Sequence, residues 1–195
     1  GTNQKSIFPT PVIGGVGLIP DISKTLSHHF KRENNNILLI GKTFGHIEQS
    51  CFLKEVYSIE DGSPPEVNLI NEKNNGEAVL NLINNNLVLA AHDVSSGGLI
   101  TSLFEMTLGT SLGVKIEKPK KLRNLFEYFF GEDQSRYVLE IDPKNIIEVE
   151  KILKNGNIYF EKIGFTQKNF FEIEDEMKMS INELFEINNE WYNSY

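Results

Sequence analysis

The sequence predicts an α+β domain of two or three layers, and three observations carry that prediction. Two short all-apolar runs, Ile37-Leu38-Leu39-Ile40 and Leu87 to Ala91, read as strands buried on both faces. Segments with helical spacing lie between and after these runs, so helices and strands alternate along the chain. Of the 195 residues, 39% are hydrophobic and 24% charged, a composition that builds a core and does not describe a disordered tail.

The elements follow in order. Phe8 to Ile19, FPTPVIGGVGLI, is punctuated by proline and alternates apolar residues with glycine, which predicts a strand closely approached by another backbone or a helix. It has no strand partner nearby in sequence, so residues 1–22 are expected to belong to a different domain from residues 23–195. Polar Ser23 to Asn36 leads into the strand Ile37 to Ile40, which Gly41 ends. Gln49 to Tyr57 has partial helical spacing. Asp61-Gly62-Ser63-Pro64-Pro65 is a strong turn signal ahead of a helix from Leu69 to Ile83, closed by Asn84-Asn85-Asn86. After the strand Leu87 to Ala91, the segment His92 to Gly98 turns into an apolar helix, Leu99 to Leu108. A strand at Gly113 to Glu117, a helix at Lys121 to Phe130 and a strand at Arg136 to Ile141 come next. Pro143 is expected to open a helix reaching Lys154. Ile158 to Phe165 and Phe170 to Ile173 read as a hairpin, and Ile181 to Trp191 as a terminal helix.

Charge and cysteine content exclude several classes. The formal net charge is -8, and the basic residues are scattered apart from Lys118, Lys120, Lys121 and Arg123, so no basic face for nucleic acid is expected. That small cluster reads as a solvated helix start. The single cysteine, Cys51, cannot form an internal disulfide; no histidine motif accompanies it, and a small buried thiol is the expectation. No secretory signal pattern and no apolar run near the roughly 20 residues of a membrane span are present, which makes the cytoplasm the expected compartment.

Two segments gather site chemistry. In Ala90-Ala91-His92-Asp93-Val94-Ser95-Ser96-Gly97-Gly98-Leu99, paired glycines at a helix start would leave backbone N–H groups free for a phosphate at the positive end of the helix dipole. Asp93, at the end of a strand, is a candidate carboxylate ligand for Mg2+. The competing structural reading, which spacing alone favours, is a tight turn with Ser95 or Ser96 capping the helix. Gly131-Glu132-Asp133-Gln134-Ser135-Arg136 places two carboxylates, an amide and a guanidinium just before a strand, either as an ion-paired loop or as a polar clamp on a ligand. Ile40-Gly41-Lys42-Thr43 is not a P-loop, because Asn36 stands where that motif needs glycine. Gly14-Gly15-Val16-Gly17 is not a dinucleotide fingerprint, since Pro20 occupies the place of its last glycine. His28, His29 and His46 lack partners at metal-ligand spacing and read as surface or loop histidines.

Phe8 to Ile19, Ala91 to Leu99 and Phe130 to Arg136 occur in an order that resembles the last part of the synthetase subunit of the phosphoribosylformylglycinamidine synthase family. Asp61 to Pro65 fits between them. The resemblance implies a domain similar to the C-terminal domain of aminoimidazole ribonucleotide synthase, a three-layer α/β/α fold around a mixed sheet that is partly ferredoxin-like. Phe8 to Ile19 would then be the trailing strand of a preceding ATP-binding-type domain. It also implies an ATP- and Mg2+-dependent carbon-nitrogen ligase that converts formylglycinamide ribonucleotide to its amidine in purine biosynthesis. Ammonia would come from glutamine, and the partners would be the enzyme's other domains, a glutaminase subunit and a small accessory subunit.

Because the family's catalytic histidine lies upstream, no catalytic residue carries over and the chain alone is expected to be inactive. By internal pseudo-symmetry, Ser95, Ser96, Gly97, Gly98, Glu132, Asp133 and Gln134 would mark a nucleotide or phosphate pseudo-site, with Asp93 toward a metal. Asp133 departs from the serine usual in that motif. The alternatives are a non-catalytic scaffold or interaction module, or the C-terminal domain of a related enzyme of the selenophosphate synthetase, thiamine-phosphate kinase or hydrogenase maturation type. Phe8 to Ile19 and the ending Gln134-Ser135-Arg136 argue against the related enzymes.

Overall fold

The computed structural model describes residues 11–119 and 124–193. Along the chain run β1 (Asn36–Ile40), α1 (Cys51–Tyr57), α2 (Leu69–Asn84), β2 (Ala90–Asp93), α3 (Gly98–Glu105), β3 (Leu112–Ile116) and α4 (Leu125–Phe130). They are followed by β4 (Tyr137–Ile141), α5 (Ile146–Asn155), β5 (Phe160–Lys168), β6 (Phe170–Ile173), β7 (Met177–Ser180) and α6 (Ile181–Asn193). The strands form one seven-stranded sheet in the order β2-β4-β1-β5-β3-β6-β7. It is mixed: β3 and β6 are parallel, and the other ladders are antiparallel.

The all-apolar run that predicts β1 is explained by what covers each face. Alternate side chains of a strand point to opposite sides. Ile37 and Leu39, with Val138 of β4, pack on Leu99 and Leu103 of α3 and Phe129 of α4. Leu38 and Ile40, with Leu139 and Ile141, pack on Val79 and Leu82 of α2 and on Val149 and Leu153 of α5. Each such aliphatic side chain, fully withdrawn from water, contributes about 1.5–3 kcal/mol. Here the domain is a three-layer α/β/α sandwich.

The far half of the sheet is thinner. Val114, Ile116, Phe171 and Ile173 join the first core. The opposite face there carries Glu172 between Lys115 at 3.1 Å and Lys178 at 2.9 Å. Hydrogen bonds from Lys178 and then Lys115 hold the Glu172 carboxyl below its usual range. That ladder suits a face open to water, so the third layer ends at this point.

Several expectations are corrected. Phe160–Lys168 and Phe170–Ile173 are not a hairpin: β5 lies between β1 and β3, while β6 pairs with β3 and β7. The hairpin is β6–β7, and β7 was not foreseen. Leu87 closes α2 by donating its N–H to Leu82 O, so the β2 ladder begins only at Ala90 and forms a sheet edge. The α3 helix stops at Glu105, where the chain tightens into turns ahead of Gly109 at φ 69°. Pro143 sits in a turn that Asp142 organises by accepting Lys144 N–H, and α5 starts at Ile146. Pro11 to Ile19 belongs to no helix or strand and is exposed, with Phe8 to Thr10 outside the described residues. Lys120, Lys121 and Arg123 also lie outside them, and α4 is described from Leu125. Cys51 is exposed and not buried.

One buried charge ties the strands to the segment before β1. Glu140, fully buried in β4, accepts hydrogen bonds from Lys31 N at 2.8 Å, Arg32 N at 3.0 Å and Asn35 Nδ2 at 2.6 Å. Replacing it with alanine strands the buried Asn35 amide and two part-buried backbone donors, and each unsatisfied buried donor costs on the order of 1–3 kcal/mol. Glu140→Ala is therefore expected to lower unfolding stability by about 2 kcal/mol, measured by urea denaturation. A change below about 0.5 kcal/mol would show that the carboxylate is not an anchor.

Candidate functional site

The C-terminal ends of β1 and β2 and the N-terminal end of β4 meet at one edge of the sheet, where Ile40 and Asp93 both stand opposite Tyr137. The loops leaving these ends, residues 41–50, 94–97 and 131–136, therefore converge, which brings together the two segments singled out in the sequence.

Asp133 is buried and accepts three backbone hydrogen bonds, from Phe44 N and Gly45 N at 2.9 Å and from His46 N at 3.1 Å. Arg136 beside it is buried as well. Its guanidinium donates to Gly131 O at 2.5 Å, Asp133 O at 3.2 Å and Thr43 Oγ1 at 3.2 Å, and lies 4.0 Å from the Asp133 carboxylate. Burial lowers the guanidinium pKa, and the Asp133 charge opposes that fall. The loop is thus an internal cross-link between the start of β4 and the segment after β1.

Glu132 links two helix starts. Its Oε1 accepts from Cys51 N at 2.7 Å, in the first turn of α1, and from Gly97 N at 2.8 Å, at the start of α3. Gly97 is the N-cap of α3 at φ 81° and has no side-chain cap, so the capping role expected of Ser95 or Ser96 is not observed. Ser95 instead closes the turn, its Oγ accepting Ser96 N at 2.6 Å and its carbonyl accepting Gly98 N at 3.0 Å. A Cβ on Gly98 would lie 2.7 Å from Phe129 O and 2.8 Å from Gly131 O, at φ +73°, so the close approach of α3 to the end of α4 requires glycine.

Asp93 ends β2 with an exposed carboxylate, 3.3 Å from His92 Nδ1; His92 Nε2 lies 3.0 Å from Glu105. Among the described residues no group of three His, Cys, Asp or Glu side chains is placed to hold a metal ion. A divalent cation at Asp93 would have to complete its shell with ligand oxygens and water. Cys51 is exposed at a helix start, a place that normally favours a thiolate. Partial desolvation and then the Glu132 charge raise its pKa, which works against that tendency.

Gln134 and Ser135 face outward, into a cleft of about 390 Å³ that also involves Phe44, His46, Asn68 and Asn71. Asn75 of α2 fixes its floor by donating to Ser135 O at 2.9 Å and Ser135 Oγ at 3.1 Å. The sequence reading missed Phe44, His46, Asn68, Asn71 and Asn75. Only Asn75 carried a signal, as an amide interrupting the apolar stripe of a helix. No helix among the described residues is long and apolar enough to cross a membrane.

The sequence model of the family described as AIR synthase related protein, C-terminal domain, matches residues 32–172. Along its whole length the chain is 42% identical to the phosphoribosylformylglycinamidine synthase subunit PurL of Pelagibacter ubique (strain HTCC1062) and spans 27% of that protein. The same subunit of Rhodopseudomonas palustris (strain BisB5) is 37% identical over the whole chain, which spans 26% of it. The chain thus covers about a quarter of the length of these relatives. Among solved structures, T. maritima PurL complexed with FGAR superposes with a TM-score of 0.68 at 16% identity, over 84% of this chain and 30% of that one. T. maritima PurL complexed with ATP gives 0.63, also at 16% identity, over 84% and 27%. Thiamine-monophosphate kinase of Stenotrophomonas maltophilia K279a gives 0.53 at 13% identity, over 79% and 54%. These structural likenesses describe the fold.

Two outcomes follow from the carboxylates. Asp133→Asn turns an amide donor toward three backbone donors, and is expected to cost about 2 kcal/mol and speed amide exchange at Phe44 to His46. Unchanged exchange there would count against the anchoring role. Because a raised pKa leaves less thiolate at a given pH, iodoacetamide is expected to alkylate Cys51 more slowly than a free cysteine at pH 8. Glu132→Gln removes the charge and should speed alkylation roughly threefold or more; equal rates would separate Glu132 from the thiol.

Proposed function

Since the chain belongs to the AIR synthase related protein family, as its C-terminal domain, we propose that it is the C-terminal portion of the synthetase subunit of phosphoribosylformylglycinamidine synthase. The carrying observation is its unbroken similarity to PurL subunits from end to end. In this reading the full enzyme is an ATP-dependent carbon-nitrogen ligase of de novo purine biosynthesis, acting in the cytoplasm. It converts formylglycinamide ribonucleotide to formylglycinamidine ribonucleotide with ammonia drawn from glutamine by a separate glutaminase subunit. A small accessory subunit completes the assembly.

Within that enzyme this domain supplies structure and no reacting group. Asp93, Ser95, Ser96, Gly97, Gly98, Glu132, Asp133 and Gln134 are what remains of a nucleotide-type site. The Gly97 N–H, which a phosphate oxygen would take at such a helix start, is engaged by Glu132, and a second anion there would meet a carboxylate. ATP and Mg2+ are accordingly assigned to the remaining domains. Residues 1–22 are assigned to the preceding domain, which would cover the exposed Val12, Ile13, Val16, Leu18 and Ile19.

The purified chain is expected to show no ATP-dependent amidation of formylglycinamide ribonucleotide with ammonium as nitrogen source, read by ADP release. Adding the upstream part of the same subunit should restore turnover. Activity of the 195-residue chain by itself would overturn the scaffold assignment.

A further inference from the structure

The outward side of the carboxylate network has a different chemistry from its inward side. The cleft of about 390 Å³ is bounded by residues from the loop after β1, the start of α2 and the loop before β4. Its lining is rich in amides and holds no lysine or arginine. Asn71 and Gln134 line it, and among the described residues neither side chain has a hydrogen-bond partner. His46 Nε2 lies 2.8 Å from Ser63 O; a carbonyl only accepts, so Nε2 donates that bond. The Ser135 hydroxyl accepts from Asn75 and keeps its own proton to donate. Phe44 lines the cleft and is 78% exposed, offering its aromatic ring to solvent.

The charges decide what such a cleft excludes. Its lining contains no lysine or arginine, and its ionisable members besides His46 are Glu66 and Asp133. Asp133 spends its lone pairs on three backbone N–H groups, so it offers the cleft negative potential and little else. Phosphate recognition relies on guanidinium or ammonium groups, or on free backbone N–H groups at a helix start. The helix start nearest to hand, α2, has Asn68 Oδ1 accepting from both Ile70 N and Asn71 N. An anion entering the cleft would be desolvated against like charge with nothing to pair it.

We propose that this cleft is a binding site for the uncharged, planar, donor-and-acceptor edge of a ligand, a nucleobase or a primary carboxamide, stacked on Phe44 and read by Asn71 and Gln134. It does not hold the ligand's phosphates. Paired amides suit this role because each presents a donor and an acceptor side by side, the pattern that an amide or aminopyrimidine edge complements. An aromatic rim adds a stacking surface for any such ring. The inference rests on the lining of the cleft and stands whether or not the family-based function does, because the chain's membership of its family makes no demand on these amides.

The test is an NMR titration of the 15N-labelled chain with four probes in parallel: adenosine, nicotinamide, ADP with Mg2+, and inorganic phosphate. Adenosine or nicotinamide is expected to move the amide signals of Phe44, His46, Asn71, Gln134 and Ser135 and to bind at least tenfold more tightly than phosphate. ADP should bind no more tightly than adenosine. Which uncharged probe binds separates the base from the carboxamide. Asn71→Asp and Gln134→Glu keep shape while replacing an amide donor with a charge; both are surface positions, and each should weaken the uncharged probe about tenfold. Ser96→Ala should leave it unchanged. The proposal is overturned if ADP or phosphate binds more tightly than adenosine and nicotinamide, if the shifts centre on Ser95 to Gly98, or if neither uncharged probe binds at millimolar concentration.

Discussion

The structure at the functional end of this domain depends on two adjacent carboxylates, Glu132 and Asp133, being satisfied by backbone N–H groups from distant segments. Hydrogen bonds to a charged acceptor are worth about 1.5–3 kcal/mol each, and a buried carboxylate without them is unfavourable by more than that. The donors come from residues 44–46, from the first turn of α1 and from the turn before α3. Those segments also meet α4, through Gly45 against Glu127, Phe52 stacked on Phe130 and Gly98 against Phe129 O. Together with that helix, two neighbouring side chains set the relative position of three loops, and they can do so because β4 delivers them from a strand whose register with β1 and β2 is fixed.

This arrangement explains how a glycine turn of phosphate-binding appearance can be structural. A helix start attracts any anion, and a carboxylate of the same chain is held at very high effective concentration. Glu132 is in place before a soluble phosphate arrives, and it also draws α1 toward α3. The same charge adds to desolvation in raising the pKa of the nearby Cys51 thiol. One residue thus closes an anion site and aligns two helices, and both effects come from a single negative charge at hydrogen-bonding distance from two amides.

What the sequence made legible was local. The all-apolar β1, the helix N-capped by Asn68 and closed by the asparagine run, and the strands at Leu112 and Tyr137 all follow from periodicity and punctuation. What it concealed was pairing. β5 and β6 are separated by Asn169 alone, at φ 67°, which looks like a hairpin turn; yet the chain passes from one side of β3 to the other. No local pattern distinguishes the two, because the choice is made by β3 accepting partners on both edges. β7, Met-Lys-Met-Ser, has little strand propensity and exists because β6 offers it an edge. The site shows the same division. Glu132, Asp133 and Gln134 stood out as a polar group, but the inward role of Glu132 and Asp133 was hidden because their donors lie between 35 and 89 residues away. Glu140 gave no warning at all, since an acidic residue in a strand normally reads as solvent-facing.

The distribution of layers gives the site its place. Where helices cover both faces, β1 and β4 cannot slide without moving fully buried side chains into the wrong core, so the loops at their ends start from fixed points. Beyond β5 one face is held by the Lys115, Glu172 and Lys178 ladder, whose partners are exposed to water and individually worth little. Strand ends there have weaker positional control. A network that needs several hydrogen bonds of correct length from separate loops can be assembled only at the thicker half of the sheet. The converging loops, the satisfied carboxylates and the amide-lined cleft all lie there, so the covering of both sheet faces is the condition that makes this end of the domain able to present side chains to anything else.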